Sequence, residues 1–131
     1  MSTIRHVQQI PGYPAPHSPY SHAVVANGFV FVSGQIPVRP GGGPTEVVGA
    51  TMQEQTRQCL RNVQAILEAA GSSLEQIVKT TVFLQSLDDF AGMNEVYARH
   101  VGGVPPARST FEVAKLPSGA LVEIEAVALA G

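Results

Sequence analysis

Between Thr51 and Ala70 the residues Met52, Thr56, Cys59, Leu60, Val63, Ile66, Leu67 and Ala70 recur at the three-and-four spacing of a helix that has one face to bury. Its ends are written into the sequence. Thr51-x-x-Glu54 fits a capping box, in which a hydroxyl and a carboxylate each satisfy an orphan amide. Gly71 stands where a left-handed C-terminal cap is needed. The apolar runs on either side have the two-residue period of strands instead, so the chain has to combine a helix with a sheet.

Ala23–Ala26 and Phe29–Ser33 are split by Asn27-Gly28, the pair favoured in tight type I′ turns, and predict a β-hairpin. Before it, Met1 to Tyr20 carries four prolines and admits only a short strand near Ile4–Gln9. After Ser33-Gly34-Gln35, the stretch through Pro37, Pro40 and Gly41-Gly42-Gly43-Pro44 predicts an irregular loop. Ile77–Leu84 is rich in β-branched residues and predicts a strand. Phe90, Met93, Val96, Tyr97 and His100 share one face of a shorter helix over Asp89 to His100, which Gly102-Gly103 stops. Two further strand runs flank the turn Lys115-Leu-Pro-Ser-Gly-Ala120. The order is β-β-β-α-β-α-β-β, and 131 residues suffice for one domain: an α+β sandwich with two helices on one face of a mixed sheet. The other face still carries Val, Ile and Phe, so self-association is expected to cover it.

Only 14% of the residues are charged, which makes the polar side chains in the last two strands informative. Arg108, Thr110 and Glu112 fall on one face of the first, Glu123 and Glu125 on one face of the second. Arg108 can hold a ligand carboxylate in a bidentate grip or pair with Glu112 or Glu125 as a structural ion pair. Glu123 can act as an acid or base if burial raises its pKa, or can belong to a solvated strand face. Both alternatives stay open on spacing alone.

The net charge of -2, with no basic run, argues against nucleic acid and acidic membranes as partners. A lone cysteine, no leader-like start and no apolar run near the roughly 18 residues of a membrane span lead to the expectation of a soluble, cytoplasmic protein. No pair among His6, His17, His22 and His100 has helical ligand spacing, so no metal site is expected. Cys59 lies on the apolar helix face and reads as a small buried hydrophobe.

Ordered motifs carry a resemblance along nearly the whole chain. S-P-Y-S-H-A-V (18–24), F-V-S-G-Q-I-P (31–37), Q-T-R-Q-C-L-R-N-V (55–63), V-K-T-T-V-F-L (78–84), P-A-R-S-T-F-E-V-A-K-L-P (106–117) and V-E-I-E-A-V-A (122–128) resemble the Rid (YjgF) family of enamine/imine deaminases. That family also bears the older label of translation inhibitor or L-PSP endoribonuclease. The resemblance implies a chorismate-mutase-like fold, a homotrimer with three sites in the clefts between subunits, and chemistry without a cofactor. By the same resemblance Arg108 grips the substrate carboxylate, Glu123 positions or activates water, and Tyr20, Ser33, Gly34 and Thr110 bind substrate. The reaction implied is hydrolysis of small 2-enamino or 2-imino acids, such as 2-aminoacrylate and 2-iminopropanoate, to 2-oxo acids and ammonia. A non-catalytic module that senses a 2-oxo acid would use Arg108 equally but not Glu123; a ribonuclease, as the older label has it, would lack a basic groove. The chain departs from the family pattern where Gly-Pro-Tyr-Ser-Gln reads Ser18-Pro19-Tyr20-Ser21-His22, and where the residue after Arg-Ser, often Cys, is Thr110.

Overall fold

The computed structural model describes residues 3–101 and 103–131. Strands β1 (Ile4–Val7), β2 (Ala23–Ala26), β3 (Phe29–Gln35), β4 (Ile77–Leu84), β5 (Ala107–Glu112) and β6 (Val122–Leu129) form one six-stranded sheet in the order β1-β2-β3-β6-β4-β5. Helices α1 (Met52–Ala69) and α2 (Phe90–Val101) complete the β-β-β-α-β-α-β-β order. The sheet is mixed, because β4 and β5 run parallel and the other neighbours antiparallel. Gly102, expected to help stop the second helix, lies outside the described residues.

Each element follows from local chemistry. Asn27 and Gly28 both have positive φ, 55° and 81°, as a type I′ turn requires, and the hairpin register runs from Ala26↔Phe29 to Ala23↔Val32. Thr51 Oγ1 accepts from the Glu54 amide at 3.1 Å and closes the N-terminus of α1. At its far end Gly71 takes φ 87°, while Ser72 N donates to Leu67 O and Gly71 N to Glu68 O, the paired bonds of a Schellman cap.

The buried face of α1 supplies Cys59, Leu60, Val63, Ile66 and Leu67 to the core, against Val30, Val82, Leu84, Val122 and Ile124 from the sheet. Burying such a side chain contributes about 1.5–3 kcal/mol each, which is what fixes the helix to this face. Among the described residues the opposite face has no helix over it and leaves Phe29, Phe31, Phe111 and Leu129 exposed.

One feature of the topology was not visible in the spacing of the polar strand residues. The strands β5 and β6 are not partners, because β4 lies between them. Arg108, Thr110 and Glu112 register with Thr80, Val82 and Leu84, whose side chains are buried on the helix side. Glu123 and Glu125 register with Phe83 and Thr81 on the open side. The two polar sets therefore sit on opposite faces of the sheet.

Candidate functional site

The pairing of β3 with β6 shifts register between Val32 and Gln35, just beyond the point where β2 begins, and this irregularity presents Ser33 and Gly34 beside Glu123. A pocket of about 360 Å³ opens there. Tyr20, Ser33, Gly34 and Glu123 share its wall with His22 and with an apolar portion that includes Ile36. Gly34 is required by close approach, since a Cβ at that position would overlap Glu123 Oε2. Ser33 is held in place as its Oγ donates to Ser21 O at 2.6 Å and its amide to His22 O at 3.0 Å.

The electrostatics single out Glu123. Burial, reinforced by the charge of Glu125, pushes its carboxyl above the usual carboxylate range, the direction a proton-transferring group needs near neutral pH. Tyr20 is pushed up by burial and by Glu123. Cys59 is fully buried behind the site, and burial, with Glu123 adding to it, raises its thiol well above the ordinary value, so it packs as a hydrophobe.

Arg108 and Thr110 lie apart from this pocket. Arg108 lines a separate shallow depression with Asn94, Tyr97, Pro105 and Pro106. Its guanidinium stacks 4.9 Å from the Tyr97 ring centroid and 5.5 Å from that of Phe90, and donates to Asn94 Oδ1 at 2.7 Å. Among the described residues it pairs with no carboxylate: Glu112 accepts from the Leu87 amide instead, and Glu125 is on the other face. The charge of Arg108 is thus presented by two rings and an amide and remains available to an anion. Thr110 Oγ1 is buried on the same side and has no hydrogen-bond partner among the described residues.

Sequence reasoning passed over three polar residues that build the pocket. Asn62, fully buried on α1, donates to Ile36 O at 3.2 Å and Val38 O at 2.7 Å and so fixes the wall after β3. Gln55 donates to Gly49 O at 3.0 Å and accepts from the Leu121 amide at 2.8 Å, anchoring the approach to Glu123. His22, grouped with the other histidines in the sequence, forms part of the pocket wall. A polar residue on an otherwise apolar helix face was the available signal for the first two. Among the described residues no three His, Cys, Asp or Glu side chains gather as a metal site would need.

Fold and pocket together define a class: an α+β domain with a small-molecule pocket at the irregular end of a central strand. The model of the family described as Endoribonuclease L-PSP matches residues 12–130, and the chain belongs to that family, the Rid (YjgF) family. It is 41% identical over 130 residues to the 2-iminobutanoate/2-iminopropanoate deaminase of Mus musculus, covering 99% of this chain and 95% of that one. A RutC family protein of Pyrococcus horikoshii is 51% identical over 115 residues, 88% of this chain and 90% of the relative. The crystal structure of Escherichia coli TdcF with bound serine superposes with a TM-score of 0.87 at 41% identity, covering 97% of this chain and all of that one (100%). The structural match extends over the whole sheet and both helices, so the family fold expected from the motifs is the fold observed.

Proposed function

We propose that the protein hydrolyses small 2-imino acids, and the enamines in equilibrium with them, to 2-oxo acids and ammonia. The observation that carries this reading is the Glu123 carboxyl, raised in pKa and seated against Gly34 in a pocket shared with Tyr20 and Ser33. Support comes from the mammalian relatives named for this activity, about 40% identical over nearly the full chain.

The reaction asks for little beyond placement and proton traffic. Water adds through oxygen to the C=N carbon while its proton passes by way of the Glu123 carboxylate to the nitrogen, which gives the tetrahedral carbinolamine. The hydroxyl proton then passes by the same carboxylate to the nitrogen, the C–N bond breaks, ammonia leaves and the C=O of the 2-oxo acid forms. Arg108 holds the substrate carboxylate, and Tyr20, Ser33 and Gly34 bound the reacting centre.

In one chain Arg108 and Glu123 occupy opposite faces of the sheet, so in this reading they act together only across a boundary between subunits. A homotrimer packed through the open sheet face, with Arg108 on edge strand β5 reaching a neighbour's pocket, supplies that boundary. No nucleic acid is involved; the net charge of -2 offers a polyanion no basic groove.

The test is to generate 2-aminoacrylate in place with a pyridoxal-phosphate-dependent dehydratase and follow pyruvate. Faster appearance with the protein present is the expected result; an unchanged rate removes the deaminase and leaves a 2-oxo acid sensor.

A further inference from the structure

The imine carbon of the substrate carries the nitrogen, the carboxylate and the side chain. With the C=N group at Glu123 and the carboxylate held by Arg108, the side chain is the group left to occupy the remainder of the pocket. That remainder is larger than a methyl group needs. The pocket volume of about 360 Å³ falls within the roughly 300–1,000 Å³ of sites that enclose ligands of drug size.

Its walls are apolar and within reach of a ligand. Tyr13 and Pro14 come from the segment after β1, Ile36 and Pro44 from the loop after β3, and all four are half-buried, so each keeps some accessible surface. The nearly inaccessible Ile10 and Ile66 complete the wall. These walls are fixed from outside the cavity. His22 Nε2 donates to Pro14 O at 3.1 Å, the Gly41 amide donates to Gly12 O at 2.8 Å, and Asn62 holds the carbonyls of Ile36 and Val38. A preformed wall binds without the cost of ordering itself. Among the described residues that line the pocket, Glu123 is the one Asp, Glu, Lys or Arg. A second carboxylate on the ligand would lose water there, meet no cation and face Glu123.

We propose that this wall is a side-chain subsite that selects 2-imino and 2-oxo acids with a bulky aliphatic side chain, over both the methyl homologue and acids that carry a second carboxylate. Each methylene buried there adds to affinity, whereas the cation-free lining turns an acidic side chain away. The subsite rests on the substrate orientation proposed above, but not on the reaction.

The test is calorimetric titration with pyruvate, 4-methyl-2-oxopentanoate and 2-oxoglutarate, the last two being similar in length and different in charge. 4-Methyl-2-oxopentanoate should bind roughly tenfold tighter than pyruvate, the scale of a few partly buried methylenes. 2-Oxoglutarate should bind about tenfold or more weakly than 4-methyl-2-oxopentanoate. In Ile36→Lys, which puts a cation into the wall, the order of these two should reverse. A wild type that lacks either preference overturns the proposal, and so does an Ile36→Lys protein that keeps the wild-type order.

Should Ile36→Lys fail to fold, nuclear Overhauser contacts in the wild type decide: the methyls of bound 4-methyl-2-oxopentanoate should lie near the Ile36 methyls and the Tyr13 ring, and contacts to neither end the proposal. The two readings also fail separately. Preference without imine hydrolysis leaves the subsite standing and removes the deaminase; hydrolysis without preference does the reverse.

Discussion

Gly34 and Glu123 depend on one another, since the carboxylate occupies the space a side chain at Gly34 would fill. Gly34→Ala should fold normally, because the atoms displaced are the far end of a flexible side chain, yet lower kcat/KM at least tenfold by moving the carboxylate; parallel melts and deamination assays check this. Glu123→Gln should slow deamination by roughly 10²-fold or more, the scale of a positioned acid or base, with 2-oxo acid binding within several-fold of wild type. Its stability has a sign that follows from the raised pKa. The folded state holds the Glu123 proton more tightly than the unfolded chain, so the contribution is complete below the unfolded pKa and is lost as pH rises through the folded one. Glu123→Gln should therefore melt higher than wild type near neutral pH, and the difference should vanish as pH falls through the ordinary carboxylate range. A wild type that melts higher at pH 7 would contradict the assigned burial.

At the scale of elements, what could be read in advance was what local chemistry controls. The Asn27-Gly28 turn, the Thr51 cap, the Gly71 terminus and the β4 strand Ile77–Leu84 all stand where the spacing places them, because each depends on residues within a few positions of itself. Thr51→Ala should accordingly cost about 1 kcal/mol, measured by urea unfolding, since it removes the acceptor for the Glu54 amide. The placing of β4 between β5 and β6 was not legible, as it depends on which strands a crossover helix brings together. That order puts Arg108 against Tyr97, Phe90 and Asn94 instead of a carboxylate. Arg108→Ala therefore leaves no buried anion behind. It should lose about 1–2 kcal/mol of stacking and hydrogen bonding while losing most 2-oxo acid affinity. Arg108→Lys should recover only part of the binding, because an ammonium keeps the charge without the planar fork. A loss of several kcal/mol, or unchanged affinity, would return Arg108 to a structural role.

The whole molecule has a sheet with a helix-covered side and an open side, and the open side carries Phe29, Phe31, Phe111 and Leu129, with Phe111 53% exposed on the edge strand. Phe31 registers with Val127 on β6, and Phe111 with Phe83 on β4, so the open face carries two apolar clusters, separated by Glu123 and Glu125 of β6 and by Lys79 and Thr81 of β4. Exposed apolar clusters of that kind are normally part of an interface. The separation of Arg108 from Glu123 gives the same face a functional consequence, because a substrate held by both needs two chains. Light scattering should therefore return three times 13.8 kDa, about 41 kDa. Phe31→Asp puts a charge into one of these clusters without touching the Glu123 pocket or the helix-side core. It should shift the species toward the monomer and, if the shared cleft is correct, abolish deamination even though every proposed catalytic residue is intact. Mixing would then separate assembly from chemistry. An Arg108→Ala chain and a Glu123→Gln chain, each inactive alone, should regain a fraction of wild-type activity when refolded together, because some mixed trimers pair an intact Arg108 with an intact Glu123 across one boundary. Activity that survives in a Phe31→Asp monomer, or an inert mixture of correctly assembled mixed trimers, would place both groups' work within one chain and remove the intersubunit site.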